Sequence, residues 1–375
     1  MSHQYEGLTR FFASRKGIIL VGAAIGLFAS FLQKFGNPPN MGICVACFER
    51  DIAGALGLHR AAVVQYLRPE IMGFVLGATI AALLFREFKA RAGSAPLVRF
   101  FLGIFAMIGA LVFLGCPWRA LLRLAGGDLN AITGLAGLIV GIIIGVQFLK
   151  SGYNLGRTQK TYPVVGWLMP GLMILLLVFR LVRPKFGEGA AIFFSESGPG
   201  SLYAPLLLSL VVGLLIGFLA QRTRFCTMGS IRDVILMGDT HLISGVGTLL
   251  VTAFVVNLIL GQVTFGFAPQ PVAHSSHLWN FLGMALSGLA FTLAGGCPGR
   301  QLFLAGEGDG DSGVFVLGMI VGAGISHNFL LAGRPDALVE GVLQVGGISS
   351  AGMLAVIFGL AVCLVIGFTM REKLS

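Results

Sequence analysis

Long apolar runs alternate along the chain with short polar stretches, and ten runs approach the roughly 20 apolar residues that a membrane-crossing helix needs. They fall at 17–35, 67–86, 97–114, 131–149, 163–182, 203–220, 241–262, 278–294, 313–332 and 350–370. Four further stretches, 41–58, 115–127, 223–238 and 295–307, are too apolar for ordinary loops and too short or interrupted to span. They predict re-entrant half-helices, which a membrane tolerates where protein or a cavity surrounds them. The expected fold is therefore an all-α integral membrane protein. Composition agrees: 56% of the residues are hydrophobic and 11% are charged, where a soluble domain carries about 25% charged residues. Glycine, 55 of 375 residues, sits inside the apolar runs with no collagen period, which favours close helix packing and broken helices. The first run is long for a signal-peptide core and lacks a small-residue cleavage site behind it, so it reads as the first spanning helix.

The net charge of +10 comes from basic residues scattered between apolar runs rather than clustered, so a nucleic-acid partner is not expected. Arg10, Arg15, Lys16, Arg86, Lys89, Arg91, Arg99, Lys150, Arg157, Lys160, Arg371 and Lys373 would collect on one side, and the 263–277 connection on the other side has no Lys or Arg. The positive-inside rule then places both termini in the cytoplasm.

The two halves of the chain repeat each other. CVACFERDI from Cys44 matches CTMGSIRDV from Cys226, pairing Arg50–Asp51 with Arg232–Asp233. GCPWRALLRLAGGD from Gly115 matches GCPGRQLFLAGEGD from Gly296, pairing Cys116 with Cys297, Pro117 with Pro298, Arg119 with Arg300 and Asp128 with Asp309. The paired cysteines are 72 residues apart in one half and 71 in the other. Five spans per repeat is an odd number, so the second repeat enters from the opposite side. The expected organisation is a cytoplasmic segment 1–16, a first repeat 17–182, a connecting loop 183–202, an inverted repeat 203–370 and a cytoplasmic end 371–375. Inverted repeats with broken helices near the midplane are common in transporters and channels.

Gly-Cys-Pro predicts that Cys116 and Cys297 cap half-helices with Pro117 and Pro298 at their first turns. A helix N-terminus attracts anions and lowers a thiol's pKa, so with Arg119 and Arg300 one turn on, each motif could receive an anion against a sulfur. Cys44 and Cys226 open the other two half-helices and complete the candidate path. The competing reading is packing for the cysteines and topology for the arginines. Arg50 with Asp51 and Arg232 with Asp233 read as fold-fixing or gating pairs, because an unpaired intramembrane charge is expensive. Asp128 and Asp309 end Gly-Asp turns and read as caps. Cys47 has no cysteine at its repeat partner, Gly229; it could form a redox pair with Cys44, and Cys363 reads as packing. His327 is a possible path residue, and His274 and His277 are expected on an outer loop. There is no paired zinc pattern, no nucleotide-binding loop and no hydrolase or metalloprotease motif, so no metal, cofactor or enzyme chemistry is expected.

RFCTMGSIRDVILMGDTH at 224–241 and LAGGCPGRQLFLAGEGDGD at 293–311 resemble the YeeE/YedE family of sulfur-transport membrane proteins, and within it the YedE-like branch associated with selenium metabolism. The resemblance extends through both repeats and is strongest in the second. It implies an hourglass of spanning and re-entrant helices in the bacterial inner membrane that imports a small sulfur anion such as thiosulfate. It also implies path roles for Cys116, Cys226 and Cys297, with Cys44 as the repeat-related fourth, and partnership with a small cytosolic sulfur- or selenium-carrier protein. Cys47 and the longer connection around Asn37–Asn40 depart from the simplest family pattern. The leading expectation is a permease for a selenium- or sulfur-containing anion, with a thiosulfate importer as the alternative. The rival from another class is a chalcogen-transfer protein forming persulfide or perselenide.

Overall fold

The computed structural model describes residues 2–186 and 189–371, with no side-chain description for residues 2–6, 185–186 and 189–190. Met1 and residues 372–375, including Lys373 and most of the expected cytoplasmic end, lie outside the described residues. The chain is helical, with three small two-stranded sheets in the connections between helices.

The first repeat contains α2 (Arg15–Lys34), α3 (Val45–Ala55), α4 (Pro69–Leu84), α5 (Pro96–Phe113), α6 (Pro117–Ala125), α7 (Asn130–Lys150) and α8 (Pro163–Val182), preceded by α1 (Ser2–Ala13). The second contains α9 (Leu206–Thr223), α10 (Thr227–Met237), α11 (His241–Ile259), α12 (His277–Ala294), α13 (Pro298–Gly306), α14 (Gly310–Asn328) and α15 (Ser350–Thr369). All ten expected spans and all four expected half-helices are present. Among the described residues, nine helices are long and apolar enough to cross a membrane, and α4, with 16 residues, is the shorter tenth. The protein is an all-α integral membrane protein.

Three half-helices are second segments of interrupted helices. α5 breaks into α6 at Leu114 (φ 64°), α9 into α10 at Arg224 (φ 55°), and α12 into α13 at Gly295 (φ 86°). A left-handed residue ends the first segment, and the cysteine two residues later caps the next. α3 instead follows a separate loop over 35–44, the longer connection noted in the sequence.

Helix packing repeats the internal symmetry. α2 lies on α11, and its counterpart α9 lies on α4; α5 lies on α14, and α12 lies on α7. Likewise α6 meets α11 as α13 meets α4, α3 meets α14 as α10 meets α7, and α5 meets its own counterpart α12. The last helix of each repeat breaks the pattern, since α8 packs on α4 and α13 whereas α15 packs mainly on α12 and α5.

The helix ends sort into two faces. At the face where α2 begins, here proximal, Arg15 bonds Thr240, Arg222 pairs with Glu87 and Arg91 with Asp309. At the opposite, distal face, Asp128 bridges Gly266, Asn328 bonds the Leu58 carbonyl and Ser195 bonds Gln65. From their cysteine caps, α3 and α6 run to the distal face and α10 and α13 run to the proximal face. All four half-helix N-termini therefore point inward, which is the inverted arrangement.

Glycine makes these crossings possible. A Cβ on Gly22 would stand 2.0 Å from the Gly245 carbonyl oxygen, and one on Gly141 would stand 2.0 Å from the Ala285 carbonyl oxygen. With no hydrophobic drive between helices in lipid, such backbone contact carries much of the association. Gly22→Val is expected to lose most of the monodisperse protein in size-exclusion chromatography, while Gly247→Val on the same helix pair, with nothing within 4 Å, leaves it intact.

The structure adds detail at three places that the sequence left coarse. The segment before residue 17 is helical as α1, turned at Ser14 before α2. The 183–202 connection carries the β3–β4 hairpin (Lys185–Phe186 with Gly189–Ala190) and a short 3₁₀ turn, Pro199–Ser201. His274 lies in the connection before α12, as expected, but is fully buried there, with Nε2 2.7 Å from the Val112 carbonyl oxygen. Burial holds its imidazole below the ordinary range against the opposing effect of that bond.

Candidate functional site

Cysteine is an uncommon helix cap, and here it caps all four half-helices with extended backbone. Cys44 Sγ accepts the Cys47 N–H at 3.3 Å and Cys226 Sγ accepts the Gly229 N–H at 3.2 Å. Pro117 and Pro298 occupy the first positions of α6 and α13, where the missing N–H costs nothing. The tertiary fold then joins the caps in pairs. Cys44 and Cys116 Sγ lie 3.8 Å apart, and Cys226 and Cys297 Sγ lie 3.7 Å apart. Each pair joins two helix N-termini from different motifs, so backbone partial positive charge converges on two sulfurs. All six cysteines are buried free thiols. Cys363 is enclosed in α15, apart from the pairs.

The motif arginines are placed differently. Arg119 is fully buried and bonds the Asn40, Pro271 and Val272 carbonyl oxygens, with Nη1 3.9 Å from Cys47 Sγ. Arg300 lies 3.4 Å from Glu307 and lines a cavity. Asp51 accepts from both Arg50 and Arg68 at 2.7 Å, with all three side chains buried, and Arg68 also bonds the Pro199 and Leu202 carbonyls. The repeat mate is looser: Arg232 meets Asp233 at 2.8 Å with the arginine 32% exposed. Asp128 pairs with Arg123 at 2.6 Å and accepts the Asn130 N–H, while Asp309 caps α14 at Ser312 and holds Arg91 at 2.7 Å.

A cavity approaches each thiol pair from its own face. The proximal one, about 480 Å³, is lined by Arg222, Arg224, Arg232 and Arg300 and reaches Cys226 itself. Asp233, Asp239 and His241 share this wall, and three of its arginines are ion-paired, Arg222 with Glu87, Arg232 with Asp233 and Arg300 with Glu307, so it is lined with guanidinium donors that an anion could meet. The distal cavity, about 310 Å³, is lined by Arg50, His327 and Arg334 and stops at Leu114, whose carbonyl oxygen lies 3.7 Å from Cys47 Sγ. Between the two pairs stands Trp118. Its ring meets Phe225 at 5.8 Å, Phe74 at 5.9 Å and Phe303 at 6.1 Å between centroids. The repeat partner of Trp118 is Gly299, and a Cβ there would touch the indole at 3.1 Å. One ring thus fills the space that two symmetric side chains could not share.

Residues 222–374 match the protein family described as sulphur transport. That region contains Cys226, Cys297 and the whole proximal half-helix pair. The chain is also similar to a thiosulfate transporter, TsuA, of Spirochaeta thermophila, at 33% identity over 100 residues, 26% of this chain and 29% of the relative. TsuA of Escherichia coli is 29% identical over 108 residues, 28% of this chain and 30% of the relative. The matched stretches span less than a third of either relative.

Sequence reading misses several residues that shape the site. Trp118 is hidden inside a matched motif, where comparison of the repeats draws attention to identities and away from the one large difference. Arg68 lies outside the repeat and reaches Asp51 through the 3D fold alone. Glu49, fully buried on α3, has no counterpart in the repeat, where Ile231 takes its place; its signal is an acidic residue inside an apolar half-helix.

Proposed function

We propose that this protein is a permease, not an enzyme, which passes a small sulfur anion, foremost thiosulfate, between the two cavities by way of the two thiol pairs. The observation that carries the reading is the meeting of half-helix N-termini at Cys44–Cys116 and Cys226–Cys297, with one cavity reaching Cys226 and another ending at Leu114, two residues before Cys116. An anion entering either pair would meet free backbone N–H groups and two weak S–H donors while leaving bulk water. Trp118 and its aromatic neighbours would separate the two stations and limit leakage. The family match and the TsuA similarity support a sulfur anion over its selenium analogue. The proposed setting is the bacterial cytoplasmic membrane with both termini inside, where a small cytosolic sulfur-carrier protein would receive the product.

Uptake of radiolabelled thiosulfate into proteoliposomes tests this directly. Saturable accumulation above protein-free vesicles is expected, with selenite competing weakly. No uptake by folded protein would shift the function to chalcogen transfer, a reading favoured if one of the paired thiols alkylates well below the ordinary thiol pH range.

A further inference from the structure

Glu49 lies in the middle of α3, five residues after Cys44, and its side chain is fully buried. Neither carboxyl oxygen has a hydrogen-bond partner among the described residues. The charged groups on α3 and on the helices that touch it, α4, α5, α13 and α14, are committed elsewhere. On its own helix, Arg50 and Asp51 pair with each other and with Arg68 at the head of α4. Glu70 of α4 accepts from Asn37 and Ser209, and Arg300 and Glu307 of α13 face each other. α5 brings Arg99, which donates to the Ser94 and Ala294 carbonyls. α14 brings His327, whose ring lies 4.5 Å from the His59 ring between centroids and tilted against it. At 1.5 Å of rise per residue, Glu49 lies about 7.5 Å along the helix from Cys44, a member of the distal thiol pair.

An ionised carboxylate with no partner is highly unfavourable inside a membrane protein, so the carboxyl carries a proton in this conformation. Architecture does not explain its presence, because the inverted half-helix α10 folds with Ile231 in the same place. What distinguishes the position is proximity to the thiol pair that the permease reading assigns to the anion. An ionised Glu49 would repel an anion there, and a protonated one would not. Anion occupancy and proton occupancy are then reciprocally linked.

We propose that Glu49 is a proton-binding site that couples passage of the anion through the Cys44–Cys116 pair to movement of a proton in the same direction. The proton comes from water on the side of entry and leaves to water on the side of exit, and no bond other than the carboxyl O–H forms or breaks. This inference rests on the permease reading.

The test uses the full-length protein in proteoliposomes with a lumenal pH dye and labelled thiosulfate. The wild type is expected to accumulate thiosulfate to an inside-to-outside ratio that rises by up to about tenfold per unit of imposed pH gradient, acidic outside, the limit for one linked proton, and to acidify the lumen as it does so. Glu49→Gln is expected to move thiosulfate with a flat pH profile and no proton signal, and Glu49→Asp to restore both. An unchanged pH profile and proton signal in Glu49→Gln would overturn the proposal while leaving the permease intact. Infrared difference spectra of wild type minus Glu49→Gln at neutral pH give a readout that needs no transport: a protonated-carboxyl band is expected, and its absence overturns the site. If the band is present but thiosulfate never moves, the permease reading fails and the coupling fails with it. Glu49→Ile, which places the α10 residue on α3, shows whether loss in Glu49→Gln reflects folding.

Discussion

Cys116→Ala and Cys297→Ala are each expected to lower thiosulfate uptake by about 10- to 100-fold. That corresponds to removing one hydrogen bond to a charged ligand, about 1.5–3 kcal/mol, from a site where little else can replace it. Each substitution removes one sulfur of a pair 3.8 or 3.7 Å apart and leaves its partner facing a void. Serine at the same positions retains a donor of similar size, so Cys297→Ser should keep part of the uptake that Cys297→Ala loses. Equal and complete loss in both would point instead to bond exchange at sulfur, and so to the chalcogen-transfer reading. Cys363→Ala is the control: that thiol is buried in α15, away from both pairs, and uptake should hold near wild type. Labelled-thiosulfate uptake, normalised to folded protein by size-exclusion chromatography, reads all four variants.

The largest effect on stability is expected from Asp51→Asn. Asp51 is enclosed between the Arg50 and Arg68 guanidiniums at 2.7 Å, and all three side chains are nearly or fully buried. Neutralising the carboxylate leaves two guanidiniums facing one another with no negative charge between them. Breaking a buried ion pair from one side costs about 3–5 kcal/mol, so the variant should fold poorly or melt far earlier in detergent. Asp233→Asn removes the repeat-related carboxylate from Arg232, which is 32% exposed on the wall of the proximal cavity. Its cost should be about 1 kcal/mol or less, because solvent screens that pair. Equal melting temperatures for the two variants would refute the division of labour, in which the first pair locks the fold and the second borders the path.

The repeat was legible because it is written in residue identities. Gly-Cys-Pro placed α6 and α13 and their caps correctly, since proline at the first helical position and a cap before it are local preferences that act wherever the chain sits. The ten spans were legible for a similar reason: the bilayer sets a length and a polarity that the sequence must satisfy continuously. Odd span number then required inversion, and the reciprocal packing of α2 with α11 and α4 with α9 follows that logic.

Contacts between sequence-distant residues were not legible. The motif cysteines read as four separate caps, and only the meeting of the N-terminal ends of α3 and α6, and of α10 and α13, makes them two pairs. Arg119 reads as an anion-binding guanidinium, yet the loop at Pro271 and Val272, some 150 residues away, supplies the carbonyls that hold it. His274 reads as an outer-loop residue, but the Val112 carbonyl at a broken helix end needs a partner and draws its ring inside. Membrane insertion and helix capping act through the chain's own neighbourhood, so sequence determines them. Whether a buried charge is paired, or as at Glu49 left with a proton, depends on which distant groups packing brings within a few ångströms, and that was decided by the tertiary structure alone.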